Sequence, residues 1–364
     1  MKRRLLITGG AGFIGANFTR CWSAWRPDDR IVVLDALTYA ANFASIESLC
    51  ASERVRFVHG DIRDFDLVKN LLESEQLDTI VHFAAESHVD RSIHGPAAFI
   101  QANIVGTQVL LDAARSVWIE RKTPHRFHHI STDEVYGSLE PDAAPFTESH
   151  PYDPRSPYAA SKAASDHLVR AYGNTYGLDY TLSNCSNNYG PFQFPEKLIP
   201  LCILNALEGR PLPIYGDGRN VRDWLHVEDH CAAVRSILDA SPAGRTWNVG
   251  GNNEYANIDL VRTLCSAIDE SFAADPSLRE RFPNAAPSRN AQSVELITYV
   301  KDRPGHDRRY AIDATRIEKA LGWTPQIEPK SGLKRTVKWF LENEAWWRGV
   351  LSGEYQQWVK RHYG

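Results

Sequence analysis

Residues 3–15, RRLLITGGAGFIG, decide how this chain folds. Leu5, Leu6 and Ile7 form a strand-type apolar run. Thr8 then leads into Gly9, Gly12 and Gly15 at GxxGxxG spacing, and Phe13 and Ile14 begin a helical pattern. A strand that turns sharply into a helix needs one residue free to take positive φ. It also needs a backbone without Cβ where an anion approaches, and a small residue where helix lies against strand. The N–H groups opening such a helix have no partner of their own and hold phosphate. The spacing predicts a dinucleotide cradle at Gly9, Gly12, Phe13, Ile14 and Gly15.

Working outward, the next strand-type run, IVVLD, ends at Asp35, twenty residues past Gly15. A carboxylate there accepts hydrogen bonds from the adenosine ribose hydroxyls and repels a 2'-phosphate, which favours NAD over NADP. Asp61, after RFVHG, fits the adenine edge of the same site or a simple turn. TIVHFAA and RFHHIS continue an alternation of strands and helices through residue 190, the pattern of βαβ units. The expected fold class is α/β, with a doubly wound parallel (Rossmann) sheet over 1–190, rejoined by about 225–255 and about 308–340. A smaller, discontinuous substrate-binding domain is expected within 191–364. The stretch 275–293 is polar and aperiodic, so a surface excursion is expected there.

At 364 residues the chain has length for about two domains and a sizeable core. Forty-one Lys plus Arg against 45 Asp plus Glu give a net charge of -4, without a basic run, which argues against nucleic acid. The six cysteines are scattered, with no C-x-x-C pair and no zinc spacing, so neither a metal nor a disulfide framework is expected. Gly9 and Gly10 cut short any leader-like apolar run, and the apolar stretch around 198–207 contains Pro200 and is about half a membrane span. These features read as a soluble, cytoplasmic protein.

Two constellations carry chemistry. Tyr158 and Lys162 stand at i, i+4 in YAASK, on one face of a helix opened by Pro157, where a nearby ammonium favours the tyrosinate and makes a base. Ser131-Thr132-Asp133-Glu134 follows the strand RFHHI, at the carboxyl end where doubly wound sheets bind ligands. Two carboxyls there suit one proton donor and one proton acceptor if their environments push their pKa values apart. Neighbours on a straight strand point oppositely, so the backbone must turn at Asp133 for both to serve one ligand.

With these residues in view, the chain resembles the extended short-chain dehydrogenase/reductase family, and within it the nucleotide-sugar 4,6-dehydratases. The strings are TGGAGFIG (8–15), FAAESHVDRSI (83–93), STDEVYG (131–137), SPYAASK (156–162), NCSNNYGPFQFPEKLIP (184–200), RDWLHVEDH (222–230) and DRPGHDRRYAID (302–313). The resemblance implies an NAD-dependent lyase that turns dTDP-glucose into dTDP-4-keto-6-deoxyglucose, an entry to rhamnose and other deoxysugars. It assigns Tyr158 to C4 deprotonation, Thr132 to orienting that hydroxyl, Glu134 to the C5 proton and Asp133 to the leaving C6 hydroxyl. It places Asp35, Leu37, Thr38, Asp61, Ile62, Ala84, Ala85, Tyr158, Lys162 and Asn188 around NAD. Around the nucleotide sugar it places Ser87, Thr132, Asn187, Lys197, Leu198, Pro213, Ile214, Tyr215, Arg222, Asn257, Arg303 and His306. Arg222 and Arg303 have the planar forks that suit a diphosphate. Two departures from the family pattern are Ala41 and Ala102.

The resemblance also implies a homodimer through a four-helix bundle, from the helices beginning near Phe99 and Tyr158. Other readings stay open: a UDP- or CDP-glucose dehydratase, a nucleotide-sugar 4-epimerase or decarboxylase, and a non-catalytic NAD-binding regulator.

Overall fold

The computed structural model describes residues 2–302 and 305–351. Its strands are β1 (Arg4–Thr8), β2 (Arg30–Asp35), β3 (Val55–His59), β4 (Thr79–His82), β5 (Arg126–Thr132), β6 (Tyr180–Cys185), β7 (Asn187–Tyr189), β8 (Leu212–Tyr215), β9 (Val221–His226), β10 (Arg245–Val249), β11 (Glu254–Ala256) and β12 (Ile297–Val300). Seven of them form one sheet in the order β10-β6-β5-β4-β1-β2-β3, every neighbouring pair parallel. The strand order reverses at β1, which lies between β2 and β4, and a crevice opens beyond the carboxyl ends of the strands at such a point.

β1 shows why the sheet is buried on both faces. Leu6 packs with Val32, Leu34 and Ile80 on one side, while Leu5 and Ile7 pack with Phe18, Trp22 and Val33 on the other. Parallel strands covered on both sides carry continuous apolar runs of this kind. One covering helix, Pro96–Ile119, has the length and apolar composition to cross a membrane, unlike the shorter apolar helix Leu198–Leu207. Its Leu110, Leu111, Ala114 and Trp118 are buried under the sheet, and the Trp118 indole donates to the Leu77 carbonyl at 2.8 Å. The neighbouring helix Pro157–Tyr176 starts with the Ser156 hydroxyl accepting from the Ala159 N–H and stops at Gly177, whose φ is +74°.

The remaining strands make two small sheets, β11-β9-β7 and β12-β8, over a second core. That core lies among the helices Leu198–Leu207, Asn257–Ala274 and Pro329–Glu342 and includes Ile203, Leu264, Val337 and Trp347. The stretch 308–340 divides: Ile317 of helix Thr315–Leu321 packs on Trp247 and Val249 of β10, while Pro329–Glu342 joins the second core. The polar stretch 275–293 is more than a surface excursion. Leu278, Phe282 and Ala285 are buried in the second core, so three apolar anchors hold a polar segment. Anchors spaced this irregularly leave no periodic signal in the sequence.

Candidate active site

The glycine loop closes tightly on the sheet. Gly9 has φ +69°, and a Cβ on it would sit 2.6 Å from the Ala84 backbone; one on Gly15 would sit 2.3 Å from the Gly9 carbonyl. Gly12 caps helix Phe13–Trp25 without any side-chain hydrogen bond, and a Cβ there would meet only the Gly9 carbonyl, at 3.3 Å. The first-turn N–H groups thus remain available to an anion, and the loop leaves room for one, as a pyrophosphate requires. Asp35, 7 % exposed, accepts from the N–H groups of Ala11 at 2.9 Å and Leu37 at 2.8 Å. Its carboxylate therefore ties the loop together as well as facing the cleft, and burial raises its pKa.

From this loop a cleft of about 640 Å³ runs across the ends of β1, β4, β5 and β6. Gly9, Gly12, Phe13, Ile14, Gly15, Asp35, Thr38, Asp61, Ile62, Ala84, Ala85, Tyr158, Lys162 and Asn188 all line it, and so do Ser87, Thr132, Asn187, Lys197 and Leu198. Leu37 is not among the lining residues; its φ of +49° marks a turn beside Asp35. Asp61 is clamped by the Arg63 guanidinium, which holds its carboxyl below the usual range.

The turn that the Asp133-Glu134 pair needs is present. β5 ends at Thr132, whose hydroxyl accepts from the Glu134 N–H at 3.3 Å, and a tight helical turn covers Asp133–Tyr136. Glu134 lines the cleft, while Asp133 lies behind it, 1 % exposed. Asp133 Oδ2 has no hydrogen-bond partner among the described residues. Burial, then the charges of Glu134 and Asp223, push the Asp133 carboxyl well above the ordinary range, which favours its protonated form.

Tyr158, one helical turn before Lys162, is also held up, by burial and then by Glu134, with the Thr132 hydroxyl pulling the other way. The pull expected from the ammonium does not prevail here. Lys162 Nζ donates to the Ile130 carbonyl at 2.8 Å, and burial lowers its own pKa to about 8.

The remaining sequence-derived residues lie elsewhere. Pro213, Ile214 and Tyr215 form part of β8, with Ile214 buried in the second core. Arg222 on β9 donates to the Asp307 carbonyl at 2.9 Å and lies 4.3 Å from the Tyr310 ring centre. The His306 imidazole is 2.6 Å from Asp302, and Asn257 begins helix Asn257–Ala274. None of these lines the cleft, and Arg303 lies outside the described residues.

Sequence reasoning missed Cys185, Glu86, Gln101, Glu196 and Trp224, which line the cleft too. Cys185 donates to the Ser131 carbonyl at 3.3 Å, and burial pushes its thiol up to about 12. Its place at the end of β6, beside the end of β5, was the available signal. Ala102, one of the two departures, lines the cleft, as does Ala41, the other.

Residues 6–336 match the family model described as GDP-mannose 4,6 dehydratase. The "dTDP-glucose 4,6-dehydratase 1" of Escherichia coli K12 is 52% identical over 372 aligned residues, covering 99% of each chain. The chain belongs to the dTDP-glucose 4,6-dehydratase family. Among solved structures, the family member from Streptomyces venezuelae, crystallised with NAD and dTDP bound, is 46% identical with a TM-score of 0.82, covering 95% of this chain and 99% of that one. The UDP-glucose 4-epimerase of Thermus thermophilus, solved with NAD, reaches a TM-score of 0.79 at 26% identity over 93% of this chain and 99% of its own. The fold is shared between dehydratase and epimerase, so membership of the dehydratase family rests on sequence.

Proposed function

We propose that this chain is a dTDP-glucose 4,6-dehydratase, a hydro-lyase that forms dTDP-4-keto-6-deoxyglucose for deoxysugar synthesis. The observation that carries the reading is Asp133: a carboxyl buried behind the cleft, its pKa pushed up by burial, one residue from the cleft-facing Glu134. Two carboxyls in different protonation states are what a paired proton removal and proton donation require. A 4-epimerization needs neither.

The cradle of Gly9, Gly12, Phe13, Ile14 and Gly15 fits the pyrophosphate of NAD, with Asp35 at its ribose and Asp61 and Ile62 at its adenine. Thr38, Ala84, Ala85, Lys162 and Asn188 flank the remainder. NAD, when bound, supplies hydride storage between C4 and C6 and adds a nicotinamide cation to a cleft where burial and Glu134 hold the Tyr158 phenol up. Tyr158 takes the proton of the C4 hydroxyl, which Thr132 orients. The 4-ketone acidifies C5–H; Glu134 removes that proton, Asp133 gives one to the C6 hydroxyl, and water leaves. Glu134 then returns its proton to C5. Ser87, Asn187, Lys197 and Leu198 hold the sugar, and the nucleotide end extends beyond the cleft toward β8 and β9. The NAD site then belongs to the seven-stranded sheet, 1–190 with returning segments, and the nucleotide-sugar site is shared between that part, through Ser87, Thr132 and Asn187, and the segments after residue 190.

We also place the protein in the cytoplasm as a homodimer. Helices Pro96–Ile119 and Pro157–Tyr176 lie side by side, Tyr172 donating to Asp112 at 2.7 Å, and Ile100 on the first is 48% exposed. Exposed Ile100, with Tyr176 at the end of the second helix 40% exposed, would be covered by a second copy in a four-helix bundle.

The test is turnover in deuterated water. Incubation with dTDP-glucose is expected to give loss of one water and a solvent deuteron at C5. Inversion at C4 without water loss overturns the reading. Water loss from UDP- or CDP-glucose alone keeps the chemistry and moves the nucleotide.

A further inference from the structure

The proposed turnover leaves protons misplaced. Per sugar, Tyr158 ends with one proton more, from the C4 hydroxyl, and Asp133 ends with one fewer, given to the departing water; Glu134 ends as it began. The phenol must shed a proton before the next cycle, yet Tyr158 is only 9% exposed and its cleft is the place where the sugar lies.

Behind Lys162 a second connection leads away from the cleft. Lys162 Nζ is 3.5 Å from His129 Nε2, which is 3.1 Å from Asp166 Oδ1. Asp166 Oδ2 accepts from the Tyr152 hydroxyl at 2.9 Å and from the Ser131 hydroxyl at 2.9 Å, and Arg170 donates to the Tyr152 oxygen at 2.7 Å. Lys162, His129 and Asp166 are buried, but Tyr152 and Arg170 line a separate polar pocket of about 400 Å³ together with Glu148, His150 and His167. None of the residues lining that pocket lines the cleft. His129 Nδ1 has no hydrogen-bond partner among the described residues, while Nε2 faces both Lys162 and Asp166, so with the ring proton on Nδ1 the Nε2 lone pair can accept a proton from one and pass it to the other.

We propose that His129, Asp166 and Tyr152 form a proton path from Lys162 to this second pocket, through which the proton taken by Tyr158 leaves while the cleft is covered. This rests on the dehydratase reading above. The Tyr158 proton passes to the Lys162 amine through a hydroxyl or a water in the cleft. Lys162 gives a proton to His129 Nε2, His129 gives it to the Asp166 carboxylate, and Tyr152 relays it to water in the pocket beside His150 and His167. Asp133 regains a proton from water once product has left. No electrons move, and release and uptake balance. Burial lowers the Lys162 pKa and raises that of Asp166, while it also pushes His129 well down, so the proton crosses the imidazole only as a transient imidazolium on its way to Asp166. A merely structural role, in which these contacts anchor Lys162, uses the same distances and makes different predictions.

The experiment mixes enzyme with dTDP-glucose in weakly buffered solution containing a pH-indicator dye and follows the proton transient by stopped flow. Tyr152→Phe cuts the path at its mouth and keeps the ring against Tyr136 and His167. Asp166→Asn cuts its middle while preserving size. Both variants are expected to delay proton release about tenfold, to enlarge the solvent isotope effect on kcat, and to leave KM for dTDP-glucose unchanged. The alkaline limb of the pH profile is expected to shift. The groups facing Lys162 are Asp166 on its own helix, His129 on β5, His82 on β4 and Cys185 on β6, and only Asp166 changes in these variants. A wild-type transient and isotope effect in both variants overturns the path. So does a lower kcat with an unchanged pH profile and isotope effect, which is anchoring alone. If the wild-type protein removes no water from dTDP-glucose, the dehydratase reading falls before the path is tried.

Discussion

The two sides of the cleft are built by opposite means. On the sheet side, each functional group is placed by a few neighbouring residues: Gly9 to Gly15 by one turn, Asp133 and Glu134 by another, Tyr158 and Lys162 by a single helical turn. On the other side, placement comes from partners far apart in the chain. Glu196 is met by Arg91, 105 residues away, and the Lys197 ammonium donates to the Ser87 carbonyl. Local placement makes one side resistant to distant changes and intolerant of change within its own turns. Distributed placement makes the other side depend on the whole second core.

The sharpest break of this contrast acts on the turn after β5. Glu134→Gln keeps the turn and removes the C5 base, so dTDP-glucose should still reduce NAD while water loss falls about 10²–10⁴-fold. NADH absorbance and deuterium incorporation at C5 measure the two steps separately, and normal turnover removes Glu134 from its role. On the distributed side, Phe282→Ala opens a cavity in the second core, where Phe282 is 2% exposed. A loss of about 3–5 kcal/mol is expected, read as a lower Tm, with NAD affinity in the surviving folded protein little changed. Gly15→Ala is the local counterpart: its Cβ, 2.3 Å from the Gly9 carbonyl, should displace the loop and cost about 1–3 kcal/mol. NAD titration should show this loss far more clearly than the Tm does. If Phe282→Ala harms cofactor binding as much as Gly15→Ala does, the contrast between the two sides is wrong.

The smallest effect on stability concerns Asp133 and has a sign. Its folded-state pKa lies well above the unfolded value of about 3.9. Between those values the folded chain binds more protons than the unfolded one, so stability falls as pH rises through that window. Asp133→Asn removes the dependence. The variant should be inactive in water loss yet gain about 1 kcal/mol or more over the wild type near neutrality, a margin that shrinks toward pH 4. Thermal unfolding across pH checks this, and a margin that does not change with pH sinks the buried-acid assignment.

The sequence was most legible where function is local. The glycine spacing, Asp35, the YxxxK pair and Glu134 all line one cleft, with Asp133 directly behind it, because each is set by a short segment whose geometry follows from residue type. It was least legible where topology does the placing. Cys185 reaches the cleft only because β6 lies beside β5, and Glu196 and Trp224 only because segments after residue 190 fold back over the sheet. The anchors Leu278, Phe282 and Ala285 were hidden in a polar stretch for the same reason: three apolar residues read as incidental until their distant partners are known. Tyr158 shows a different limit. Its spacing from Lys162 was readable, but the weight of burial and of Glu134 on the phenol was not.

The repeated passage of the chain between the large sheet and the small ones has a consequence for how such proteins change. β6 in the large sheet continues directly into β7 in a small one, β9 precedes β10, and β10 precedes β11, so the path alternates sheets along a single stretch of chain. Neither half is a contiguous cassette. Recombination between relatives cannot exchange the sugar-binding part as a block without cutting strands out of the nucleotide-binding part. New substrate ranges must therefore be reached by substitutions in place, and laboratory chimeras should place crossovers at scattered surface loops and avoid one central seam.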